Sequence, residues 1–146
     1  MDAPVVAVLS LKGGVGKTTV TLGLASAAMQ EGRRVLVVDL DPQANATAGL
    51  NLPGAPEFTS SDVLYDGRSG VALDAIAPTG WGPLVDVIAA ERALEHRAVP
   101  SGADPGRRLQ RALRGVGDRY DLILLDCPPS LGELTRNALF SATQAV

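Results

Sequence analysis

The sequence predicts an α/β fold, a doubly wound and mostly parallel sheet with flanking helices. Three observations carry that prediction. Three stretches, Val5–Ser10, Val35–Leu40 and Asp121–Asp126, each hold at least four consecutive apolar residues rather than an alternating pattern, as in strands covered on both faces. The first two are joined by a helical pattern, so strand, helix and strand fall within about 40 residues, one right-handed βαβ unit. Between the first strand and its helix lies a Gly-rich turn, the usual connection where an α/β sheet opens a binding crevice.

Taken in order, Val5–Ser10 is the first buried strand. Thr18–Glu31 follows as a helix with Leu22, Ala25 and Met29 on one face, and Gly32 is placed to stop it. Val35–Leu40 is the second strand, between Arg33-Arg34 and Asp41-Pro42. From Gln43 to Ser60 the composition turns polar and rich in Gly and Pro, which reads as a mobile loop. Asp62–Tyr65 and Leu73–Ile76 read as short helices, Leu84–Ile88 as a strand and Ala89–His96 as a helix. Val99–Gly106 is a loop. Arg107–Val116 is amphipathic, with Leu109, Ala112, Leu113 and Val116 inward and Arg107, Arg108, Arg111 and Arg114 largely outward. Asp121–Asp126 is a third strongly buried strand, Leu131–Thr143 a helix, and Gln144-Ala145-Val146 the first residues of a further strand.

With 146 residues, 46% of them hydrophobic, the chain buries one core and reads as a single domain over residues 1–146. A net charge of −3 excludes a chain that is basic throughout and binds nucleic acid on bulk charge, while leaving room for a local basic patch. No basic region precedes the first apolar stretch, and no apolar run has the length of a membrane span. The one cysteine, Cys127, forbids an internal disulfide and suits a reducing cytoplasm. Aromatic residues are only 3%, so the core is built from Val, Leu, Ile and Ala.

The chemistry concentrates in Leu11-Lys12-Gly13-Gly14-Val15-Gly16-Lys17-Thr18-Thr19. An apolar strand, a Gly-rich loop and Lys-Thr-Thr opening a helix are the context of a phosphate-binding loop. Glycines let successive backbone N–H groups turn toward an anion, and the helix start adds free N–H groups and a positive dipole end. Lys17 is the point charge for β- and γ-phosphates, and the Thr18 hydroxyl is placed to ligate Mg²⁺. An ordinary strand-to-helix turn explains the glycines but not the Gly-Lys-Thr-Thr ending. The position six residues before Lys17, usually Gly, is Leu11, and an additional lysine, Lys12, follows it.

Two further strand ends carry acids, Asp39 with Asp41 and Asp126. Strand-end acids are often turn formers. Beside the phosphate loop they converge on the carboxyl edge of the sheet, where ligands bind. Asp126, after four apolar residues, fits the acid that holds Mg²⁺, commonly through water.

Lys12-Gly13-Gly14-Val15-Gly16-Lys17-Thr18-Thr19 resembles the deviant Walker A motif of the ParA/MinD family of dimeric ATPases. Asp39-Leu40-Asp41-Pro42-Gln43-Ala44-Asn45 resembles that family's second acidic motif, and Asp126-Cys127-Pro128-Pro129-Ser130-Leu131-Gly132 its Walker B segment and following switch. The resemblance implies a P-loop NTPase fold and ATP with Mg²⁺ as ligands. It implies nucleotide contacts from Lys12, Gly13, Gly14, Val15, Gly16, Lys17, Thr18 and Thr19. Thr18 and Asp126 are then metal ligands, with Asp39 near the metal. It further implies that Lys12 reaches phosphates in the partner subunit and that Asp41 orients the attacking water, so Lys12, Lys17 and Asp41 are the catalytic set. The motifs point to the chromosome- and plasmid-partition branch: an ATP-dependent homodimer, activated by a ParB-like centromere-binding protein. The dimer is cytoplasmic, off the membrane, and on the nucleoid when ATP-bound. Family members continue for roughly another hundred residues that complete the sheet, contact adenine and carry the DNA-binding patch, so weak or no DNA binding is expected of these 146 residues. A nucleotide-binding module without turnover and a MinD-like cell-division ATPase are the alternatives.

The remaining singular residues read as structural. Cys127 is a small packed side chain behind the metal site, His96 is solvated, and Trp81 between Gly80 and Gly82 anchors a loop. Arginines 107, 108, 111 and 114 read as a solvated helix face, with DNA phosphates the competing reading.

Overall fold

The computed structural model of the chain describes residues 2–9, 16–98 and 102–146, with backbone alone at Lys17 and Ala98. Its strands are β1 (Val5–Val8), β2 (Val35–Asp39), β3 (Ala77–Pro78), β4 (Val85–Ile88), β5 (Leu122–Asp126) and β6 (Gln144–Ala145). Its α-helices are α1 (Lys17–Gln30), α2 (Asn45–Gly49), α3 (Ser60–Asp66), α4 (Arg108–Ala112) and α5 (Glu133–Ser141). The sheet order is β3-β4-β2-β5-β1-β6. All neighbours are parallel except β3, which closes one edge antiparallel to β4.

Strands buried on both faces split their side chains between two apolar layers. Val35 and Val37 of β2 join Leu124 of β5 and Val6 of β1 on one face, against Ala25 and Ala28 of α1 and Ala46 and Leu50 at α2. Leu36 and Val38 join Ile123, Leu125 and Ala7 on the other, against Val63 and Leu64 of α3, Leu109 and Ala112 of α4, and Leu134 and Ala138 of α5. Every residue of β2 is buried. Truncating Leu36 to alanine there costs about 2–5 kcal/mol, through lost transfer energy and the cavity left behind.

The helix after the Gly-rich loop runs as the periodicity predicts. Ala25 is fully buried, Leu22 and Met29 pack against the same layer, and Gly32 ends the run with φ +76, donating its N–H to Met29 O at 2.9 Å. The helix expected over Arg107–Val116 is shorter. It begins as a 3₁₀ turn at Pro105–Arg107, is α-helical to Ala112 and continues only as turns, yet Leu109, Ala112, Leu113 and Val116 all face inward. Arg108 is not simply outward: its guanidinium donates to Leu64 O at 2.6 Å and Tyr65 O at 2.5 Å, capping the last carbonyls of α3.

Three more readings change. The stretch 43–60 is not a plain loop, because it contains α2 and buries Leu50. The helix expected over Ala89–His96 is a 3₁₀ run at Arg92–Ala98; Ala89 and Ala90 continue the end of β4 as buried backbone, with Ala89 O accepting from Ser60 N at 2.8 Å. Of the loop expected at Val99–Gly106, residues 99–101 lie outside the described residues, and Pro105–Arg107 is the 3₁₀ turn. Trp81 does anchor its loop, donating Nε1–H to Gly49 O at 3.1 Å, while His96 is exposed and Cys127 fully buried. Among the described residues no helix is long and apolar enough to cross a membrane.

Candidate functional site

Because β1, β2, β4 and β5 are parallel, their carboxyl ends share one edge of the sheet. Register places Val8 beside Asp126, and Asp126 beside Asp39. Lys12, Gly13, Gly14 and Val15 lie outside the described residues, as does the side chain of Lys17. The described part of the loop begins at Gly16, whose φ of +106 is open to glycine but strained for an L side chain. Its carbonyl accepts Val20 N–H at 2.9 Å, so α1 starts directly from the loop. The helix's first free N–H groups therefore stand at the carboxyl edge. Thr18 is half-buried and Thr19 exposed.

Asp126 joins the loop helix to the sheet. The Thr18 hydroxyl donates to one carboxylate oxygen at 3.2 Å, and the Thr21 hydroxyl donates to the other at 2.6 Å. Both Thr21 and Asp126 are fully buried. Thr21 was not singled out in the sequence; the available signal was its position three residues after Thr18, which puts both hydroxyls on one face of α1. Magnesium takes oxygen ligands, one or two from protein and the rest from phosphate and water. A hydroxyl and a carboxylate oxygen 3.2 Å apart at a helix start fit that demand. Among the described residues no group of three or more His, Cys, Asp or Glu could form an all-protein cage.

The carboxylate of Asp39 is fully buried and otherwise engaged. One oxygen accepts Asp41 N–H at 3.0 Å; the other accepts the N–H and hydroxyl of Thr47 at 2.9 and 2.7 Å. Burial pushes its pKa up to about 6, against the pull of those hydrogen bonds and with a smaller push from the Asp126 carboxylate. Asp41 is almost completely buried and folds the chain back on itself. Its side chain accepts Gln43 N–H at 3.0 Å and its carbonyl accepts Ala44 N–H at 2.8 Å. Ala44 then enters α2 with φ +57, left-handed for an alanine.

The end of β4 reaches the same edge. Ala90 N–H donates to Thr47 Oγ1 at 2.9 Å, and the Thr59 hydroxyl donates to Glu91 at 2.5 Å while Thr59 and Asp62 form the capping box of α3. Thr47 sits in a stretch without hydrophobic period, and Glu91 in one that reads as a helix, so neither marks itself as part of the site. After Asp126 the chain passes the buried Cys127 and Pro128 and exposes Pro129 through Gly132. Thr135 Oγ–H then donates to Ser130 O at 2.6 Å and fixes the start of α5.

A family model described as an AAA domain matches residues 3–146. The chain is 42% identical over 145 residues to the sporulation initiation inhibitor protein Soj of Bacillus subtilis, covering 97% of this chain and 56% of Soj. It is 40% identical over 144 residues to the chromosome partitioning protein ParA of Caulobacter vibrioides, covering 94% of this chain and 52% of that protein. The chain thus spans about half the length of the curated relatives it matches. It superposes at a TM-score of 0.84 on a cobyrinic acid a,c-diamide synthase from Mycobacterium smegmatis crystallised with an ATP analogue and magnesium. That structure is 34% identical, over 98% of this chain and 58% of that one. A plasmid partition protein from Borrelia burgdorferi, 24% identical, shares the fold at a TM-score of 0.83 over 98% of this chain and 64% of that one.

Proposed function

Because the chain belongs to the AAA domain family, in the ParA/MinD group of P-loop ATPases, we propose that it binds Mg²⁺-ATP and hydrolyses it in the service of DNA partition. The ATP-loaded form is a homodimer, and a ParB-like centromere-binding protein stimulates turnover; DNA is bound by the full-length form and weakly or not at all by these 146 residues. The observation that carries the reading is the pair of hydrogen bonds from Thr18 and Thr21 to Asp126, which tie the phosphate-loop helix to the strand-end acid.

In this reading the backbone from Gly13 to Thr19 cradles the phosphates, and Lys17 neutralises the β- and γ-oxygens. Thr18 and Asp126 hold the magnesium, which supplies charge neutralisation when bound, and Asp39 stands beside Asp126 at the neighbouring strand end. Asp41 orients the attacking water. Phosphoryl transfer is governed by positioning and charge, so a carboxylate at that place need not be a strong base. Lys12 reaches across the dimer to the partner's nucleotide.

Nucleotide binding and phosphate release, measured with a ParB-like activator and DNA present, test this. Lys17→Ala should abolish ATP binding, whereas Asp41→Ala should keep binding and dimerisation while slowing turnover. Lys12→Ala should spare ADP binding and lose ATP-dependent dimers and turnover together. Unchanged ATP affinity in Lys17→Ala overturns the phosphate loop. Normal dimerisation and hydrolysis in Lys12→Ala make that residue an ordinary surface lysine.

A further inference from the structure

Two hydrogen-bonding anchors bracket the turn at Asp41, and both converge on one buried side chain. Upstream, Asp41 N–H donates to Asp39 Oδ1 at 3.0 Å. Downstream, Thr47 donates its N–H and its hydroxyl to Asp39 Oδ2 at 2.9 and 2.7 Å. The same Thr47 oxygen accepts Ala90 N–H at 2.9 Å, so it spends one proton on β2 and one lone pair on the end of β4. The segment between the anchors holds the Asx turn at Asp41 and the left-handed Ala44. A loop of that kind stays in place only if both its ends are fixed.

We propose that Thr47 is a positioning residue for the hydrolytic site. Through Asp39 and Ala90 it clamps α2 to two strand ends and thereby fixes where the Asp41 carboxylate stands. The proposal rests on the reading of Asp41 as the group that orients water. It assigns Asp39 chiefly to backbone anchoring, with its charge satisfied by three donors. A hydroxyl is needed at position 47 because the site requires a donor and an acceptor on one atom, which valine, of the same shape, cannot supply.

The test compares Thr47→Val with Thr47→Ser. In the nucleotide-free protein, amide hydrogen exchange at Asp41, Thr47 and Ala90 should show a common protection in the wild type, since one opening frees all three. Thr47→Val should raise exchange at Asp41 about tenfold or more, and Thr47→Ser should restore it. In steady-state assays Thr47→Val should lower kcat about tenfold with the affinity for ATP within twofold of wild type, and Thr47→Ser should recover kcat. Unlinked exchange rates in the wild type, unchanged exchange at Asp41 in Thr47→Val, or equal losses of kcat and ATP binding overturn the proposal. So does a serine variant as impaired as the valine one. If Thr47→Val does not fold, wild-type exchange and the serine variant still decide. A wild type without turnover defeats the reading of Asp41 instead, while the exchange data continue to judge the clamp.

Discussion

Asp39 and Asp126 are register partners on adjacent parallel strands, yet their carboxylates serve different elements. Asp126 receives the Thr18 and Thr21 hydroxyls of α1, whereas Asp39 receives Thr47 and the Asp41 backbone on the α2 side. Two like charges at neighbouring strand ends are tolerated because each has its own donors.

The Thr21 bond predicts a loss in both stability and metal response. Thr21→Val keeps the shape and removes a 2.6 Å donor from a fully buried carboxylate. It should cost about 1–3 kcal/mol in urea unfolding. It should also weaken Mg²⁺-dependent nucleotide binding, because Asp126 loses the shorter of the two hydroxyl bonds from α1. Unaltered metal dependence would make Thr21 a packing residue only.

Asp39 predicts a pH dependence of definite sign. Its carboxyl is raised from 3.8 to about 6 in the folded chain. Its contribution is therefore fully present below about pH 4 and is lost as pH rises through about 6, where the unfolded chain has ionised first. Two pKa units correspond to about 3 kcal/mol at most. Denaturation midpoints measured in the nucleotide-free protein from pH 4 to 7 should show this slope in wild type, superposed on the usual opposite slope of other carboxylates, and lose it in Asp39→Asn.

Ala44 predicts a stabilising substitution. Its φ of +57 disfavours any Cβ, so Ala44→Gly should relieve up to about 1 kcal/mol, partly offset by the greater freedom of glycine when unfolded. A raised melting temperature with unchanged ATP affinity is the expected result, and a lowered one would show that the left-handed turn is not strained.

Arg108 predicts a structural phenotype where its charge invited a DNA-binding one. Its guanidinium is bonded to Leu64 O and Tyr65 O, so Arg108→Ala should cost about 1–3 kcal/mol by uncapping α3. The salt dependence of any DNA binding should stay as in wild type, since a lost phosphate contact would lower its slope by about one.

Much of the fold could be read because strands covered on both faces leave a strong signal. The unbroken apolar runs 35–38 and 122–125 lie in the two strands at the centre of the sheet. The phosphate-loop helix and its stop at Gly32 were equally legible, since residue spacing alone defines them. Asn45–Gly49 was not, because its five residues have no apolar period and are held by the carboxylate of Asp39 rather than by propensity. The stretch after β4 misled for a related reason: Ala89 and Ala90 are good helix formers, but their backbone is used by Ser60 and Thr47. At the site, the acids stood out as charges amid apolar runs, while Thr21 and Thr47 passed as filler because a hydroxyl's role depends on what faces it.

The β3 border of the sheet is built against recruiting another strand. There β3 is two residues long, runs antiparallel to β4 and contains Pro78, which has no N–H to offer a newcomer. Edge-to-edge pairing at that border is thus discouraged by the covalent chemistry of a single residue.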